Sequence, residues 1–103
     1  MIQIVLTRRD SQIESVSVSG HSGSAEYGRD LICAAVSAIV FGTCNALDEL
    51  GSDAECSVLE NEIQIDVVTN DRRTQLILET MLVQLRTVQE GNETFVKIRK
   101  TEV

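Results

Sequence analysis

Apolar and polar side chains alternate from the start of the chain. Ile2, Ile4 and Leu6 fall on one face with Gln3, Val5 and Thr7 on the other, and after a polar break over residues 8–12 the alternation resumes with Val16 and Val18 between serines. A period of two marks a half-buried strand, so this segment predicts two antiparallel strands joined by a short turn. Three glycines in nine residues follow, Gly20, Gly23 and Gly28, and read as a loop. Then the pattern changes: the apolar, alanine-rich run from Leu31 to Leu47 holds neither a proline nor a charge, which predicts a helix over residues 31–50 that Gly51 terminates.

A second hairpin is predicted over residues 54–59 and 62–68, with Glu60 and Asn61 at its turn and Ile63, Ile65 and Val67 on one face. Asn70 or Asp71 is placed to cap a second helix reaching residue 90, where Ile77, Met81, Leu85 and Val88 form an amphipathic stripe before Gly91 and Asn92 stop it. A last strand over residues 94–99 sets Val96 and Ile98 against Lys97 and Arg99, and residues 100–103 read as a loose tail.

The predicted order is ββαββαβ, an α+β fold in which two helices cover one face of a mixed, mainly antiparallel sheet of about five strands. No linker or low-complexity segment divides the chain, so residues 1–103 are expected to form one domain. The second helix carries Glu79, Gln84 and Arg86 on its outer surface, whereas the first is apolar nearly all round. Such a helix requires cover on most sides, from the sheet and second helix or from another subunit, which raises the expectation of a homodimer.

Composition narrows the function classes. At 43% hydrophobic and 24% charged the chain is globular, and its 3% aromatic content argues against a base-stacking surface. Nine basic against 16 acidic residues give a net charge of −7, which disfavours direct nucleic acid binding and favours a basic partner. The first residues read as a strand rather than a leader, and no apolar run is expected to be long enough to cross a membrane, so the expected location is cytoplasmic. Cysteines at 33, 44 and 56, odd in number and without a CxxC pair, imply reduced thiols rather than a disulfide framework.

Candidate chemistry concentrates at the loop and the first helix. With Asp30 as N-cap, Cys33 takes the third helical position, where the positive end of the helix dipole favours a negative sulfur. His21, the only histidine, lies twelve residues earlier on a loop that must return to the helix start, so the two can meet as a Cys-His pair. Asp30 serves as the cap or orients His21, and Ser37 either supports the site or bonds the carbonyl four residues back. Glu26 and Tyr27 are solvated or contact substrate. Cys44, about 16 Å along the same helix, reads as core, as does Cys56. The arginine pairs at residues 8–9 and 72–73 read as solvated turn residues. One His and one Cys without paired ligand spacing give no metal site, and no cofactor is called for.

The stretch Gly20-His21, Glu26-Tyr27-Gly28, Asp30 and Cys33-Ala34-Ala35 with Ser37 resembles the signature of the ribosomal-processing cysteine protease (Prp) family, and the resemblance extends to Leu76-Ile77-Leu78 and Met81-Leu82. It implies a cysteine endopeptidase, homodimeric, that removes a short N-terminal extension from a large-subunit ribosomal protein in bacteria such as Firmicutes. Cys33 would then be the nucleophile and His21 the general base, with Asp30 and Ser37 supporting. Gly20, Gly23, Glu26, Tyr27 and Gly28 would belong to a loop that orders over the substrate. The rival expectation is a non-catalytic, acidic ribosome-assembly adaptor that clasps a basic peptide; a redox or thiol-transfer protein is weaker, since no resolving cysteine lies near Cys33.

Overall fold

The computed structural model describes residues 1–21 and 30–103. Its elements follow the predicted order: β1 (Ile2–Arg9), β2 (Gln12–Gly20), α1 (Leu31–Glu49), β3 (Asp53–Leu59), β4 (Glu62–Thr69), α2 (Arg72–Gln89) and β5 (Val96–Glu102). The five strands form one sheet in the order β3-β4-β2-β1-β5, antiparallel throughout except where β5 runs parallel to β1.

Alternation along the strands builds the core. Ile2, Ile4 and Leu6 of β1, Val16 and Val18 of β2, Ile65 of β4 and Val96 of β5 are all buried on the helical side. The register places Ile4 opposite Val18 and Leu6 opposite Val16, so apolar partners stack across strands. The intervening serines of β2 lie on the opposite face. Asp10 (φ 51°) and Ser11 (φ 68°) turn the first hairpin, both with positive φ, as the two-residue loops that match strand twist require.

The second helix docks through Leu78, Met81, Leu82 and Leu85, all fully buried; of the predicted stripe, Met81 and Leu85 lie in this core while Ile77 and Val88 are only partly buried at its edge. Asp71 caps it by accepting from Thr74 N at 2.7 Å. One buried polar side chain ties it to the sheet. Gln75 accepts from Ile13 N and donates to Ile13 O, both at 2.8 Å, satisfying both main-chain groups where the β1–β2 register shifts.

Four expectations need correction, and one of two alternatives for the first helix is set aside. Residues 100–102 are strand, because β5 continues along β1 as far as Thr101 opposite Thr7 and Glu102 opposite Arg8; pairing with an existing strand orders what its own polar pattern would leave loose. The first helix is not buried on most sides by this chain: only Val36, Val40, Thr43 and Leu47 are buried, and Leu31 and Phe41 are 81% and 43% exposed. By length and composition α1 is also long and apolar enough to cross a membrane, which the sequence reading denied. Cys56 is exposed rather than core, since β3 is an edge strand with one neighbour, while Cys44 is half-buried against the core. Arg8 is not solvated: its side chain is 13% exposed and its Nη1 lies 2.6 Å from Glu79 Oε1.

Candidate active site

The end of β2, the start of α1 and the β3–β4 turn converge on one cleft of about 260 Å³. His21, Cys33 and Ser37 line it, with Gly20, Phe41, Leu59 and Asn61 among their neighbours. Thus the structure brings together the histidine and cysteine that the sequence singled out, along with one of the two supporting residues.

Local chemistry explains the helix start. Asp30 adopts an extended conformation (φ −83°, ψ 94°) and its Oδ1 accepts from Cys33 N at 3.0 Å, while its carbonyl accepts the first helical bond from Ala34 N at 3.1 Å. This is an N-cap, and it fixes Cys33 at the third helical position. The sulfur therefore sits at the positive end of the helix dipole, half-buried at the edge of the core. Ser37 follows one turn later. Thr43, Thr80 and Thr87 each donate to the carbonyl four residues back, but Ser37 forms no such bond, leaving its hydroxyl on the cleft wall.

Gly20 sets the direction of the chain into His21. At φ 86° it occupies the left-handed region, and an added Cβ would collide with the Met1 carbonyl oxygen. Its amide donates to Asn61 O at 3.2 Å, joining the end of β2 to the β3–β4 turn. His21 is exposed, and its Nε2 lies 3.1 Å from Asn61 Oδ1. Asn61, rather than Asp30, is thus the partner the structure gives the imidazole. Gly23, Glu26, Tyr27 and Gly28, assigned to a substrate loop, lie outside the described residues.

Sequence reasoning missed the contribution of the β3–β4 turn. Val58 and Leu59 are 62% and 58% exposed and add an apolar wall to the cleft, and Asn61 adds a polar group against His21. The turn itself was predicted, but only the pairing of β2 with β4, which sets Ser19 opposite Glu62, carries it to the site.

The other cysteines differ from Cys33 in setting. The thiol of Cys56 is pushed up to about 12 by desolvation, reinforced by a hydrogen bond with Cys44 and by the negative charges of Cys44 and Asp66 when ionised. Burial and like charge both oppose its thiolate. This pair lies on α1 and the edge strand β3, away from the first turn of α1.

Comparison with known proteins follows the same lines. Residues 1–97 match the family described as cysteine protease Prp. The ribosomal processing cysteine protease Prp of Staphylococcus aureus (strain Mu50) is 38% identical over 95 residues, covering 87% of this chain and 90% of that protein. The protein of the same name from Bacillus subtilis (strain 168) is 35% identical over 99 residues, covering 86% and 88%. Among solved structures, that of the essential S. aureus ribosomal processing protease Prp with a covalently linked product peptide superposes with a TM-score of 0.94 at 32% identity, spanning 98% of this chain and 100% of that one.

Proposed function

The chain belongs to the Prp family of cysteine proteases, and from that premise we propose that it cleaves a ribosomal protein precursor with Cys33 as nucleophile and His21 as general base. It is a cysteine endopeptidase of the kind named for ribosomal processing. The substrate we assign is a large-subunit ribosomal protein bearing a short basic N-terminal extension. The observation that carries the residue roles is that the one histidine and the capped, helix-terminal cysteine open onto the same cleft.

The chemistry is acyl transfer. His21 takes the Cys33 proton, the sulfur attacks the scissile carbonyl carbon, and the imidazolium protonates the departing amine. A water molecule, deprotonated by His21, then hydrolyses the thioester and restores the thiol. Because the Cys33 N–H is already donated to Asp30, the developing oxyanion falls to the amides of Leu31 and Ile32 at the open end of the helix. Asp30 acts as the cap that fixes this geometry, Ser37 as a hydroxyl on the wall beside the sulfur, and the loop bearing Gly23, Glu26, Tyr27 and Gly28 as the segment over the substrate. Val58 and Leu59 offer apolar contact to the bound chain, and the net charge of −7 draws in a basic one.

The assembly we propose is a homodimer, supported by the apolar surface of α1 left uncovered within one chain, and the compartment is the cytoplasm, where thiols stay reduced. Incubation with the full-length ribosomal protein of the same genome, read by mass spectrometry of the new N-terminus, tests the reading. Cys33→Ala is expected to abolish cleavage with an unchanged circular dichroism spectrum; full cleavage by that variant overturns the assignment.

A further inference from the structure

An exposed imidazole on a glycine-led segment does not hold one orientation unaided. Rotation about two side-chain bonds leaves its two nitrogens free to exchange roles, and a general base must present one fixed unprotonated nitrogen to the thiol. The structure supplies what His21 lacks. Asn61 Oδ1 is an acceptor only, so at 3.1 Å the His21 Nε2 must be the donor, which places the second proton-accepting site at Nδ1. Asn61 is itself held in two ways. Its backbone stands at φ 64° in the β3–β4 turn, a conformation asparagine tolerates better than most residues, and its carbonyl accepts from the amide of Gly20, the residue directly before His21. One residue therefore grips the segment by its main chain and the ring by its side chain.

We propose that Asn61 is the positioning residue of the peptidase, fixing the Nε2–H tautomer of His21 so that Nδ1 faces Cys33. The site then works as a Cys-His-Asn unit assembled from three separate elements: the end of β2, the first turn of α1 and the β3–β4 turn. The inference rests on the Cys33 and His21 roles proposed above and adds the group that makes His21 effective. Replacement by aspartate keeps both the acceptor and the left-handed backbone, whereas replacement by glycine keeps the turn and its carbonyl but removes the acceptor.

The test compares wild type, Asn61→Gly, Asn61→Asp, His21→Ala and the double variant His21→Ala/Asn61→Gly. Two measurements are made: cleavage of the precursor, and the rate of Cys33 alkylation by iodoacetamide at pH 7, located by peptide mapping. Alkylation remains readable where cleavage is lost. Asn61→Gly is expected to lower kcat by about tenfold to a hundredfold with KM unchanged, less than or equal to the roughly 10²–10⁴ that a general base is worth. Asn61→Asp is expected to retain kcat within a few-fold. Asn61→Gly is also expected to slow alkylation in the wild-type background and to have no effect once His21 is alanine, as required of a residue that acts only through the ring. Wild-type kcat in Asn61→Gly, or an equal loss of alkylation rate with and without His21, overturns the positioning role alone. Undiminished cleavage by His21→Ala instead overturns the Cys-His reading on which it stands.

Discussion

Three cysteines in one small chain occupy three different settings: the first turn of a helix, the face of that helix against the core, and an edge strand. Cys56 is the most exposed of them, yet desolvation and the neighbouring Cys44 thiol push its pKa up to about 12. At pH 8 the Cys56 thiol is held in its protonated, unreactive form. Brief treatment with iodoacetamide at that pH should therefore label Cys33 ahead of Cys56, as peptide mapping would show, and labelling at Cys56 should rise steadily as the pH is raised. Gly20 makes a second case at this scale. Gly20→Ala must accommodate a Cβ at φ 86° against the Met1 carbonyl, and a cost of about 1–3 kcal/mol is expected in a denaturation curve. The larger consequence is displacement of His21, so cleavage should fall further than the loss of stability explains.

At the scale of elements, Gln75 is the buried amide that ties α2 to the sheet, alongside the Arg8–Glu79 pair. Gln75→Leu fills similar space but leaves Ile13 N and Ile13 O without partners, and about 1–3 kcal/mol of stability should be lost in urea unfolding, with cleavage at low temperature unaffected. Elements of this kind were largely legible in the sequence. The twofold alternation of Ile2, Ile4 and Leu6, the capping aspartates Asp30 and Asp71 and the stop at Gly51 are local signals, and each stands where the pattern placed it. What was not legible depends on pairing between distant segments. Residues 100–102 are ordered by β1, almost a full chain length away, and Asn61 reaches His21 only because β4 lies beside β2. Cys56 was misplaced for the same reason: a strand pattern does not reveal that β3 lies at the edge. His21 and Cys33, by contrast, announced themselves through a short loop and a helix cap.

For the molecule as a whole, the sheet and α2 satisfy only one stripe of α1. Leu31 and Phe41 on α1, and Leu76 and Val83 on α2, remain exposed on the helical layer. If a second copy covers this layer, sedimentation should give twice the chain mass of 11.3 kDa at micromolar concentration, and Leu76→Asp should shift it toward the monomer. A strict monomer at high concentration would remove the homodimer from the proposal. The parallel pairing of β5 with β1 has a different, practical consequence. It sends Met1 and Val103 to opposite ends of the strands: Met1 lies against Gly20 at the cleft, whereas the Val103 amide donates to Arg8 O, seven residues of strand away and so about 23 Å distant. A purification tag fused before Met1 would therefore stand beside the cleft proposed to take the peptide, and one fused after Val103 would lie at the far end of the strands. Precursor cleavage by the two fusions should differ accordingly, the first slower and the second indistinguishable from the untagged chain.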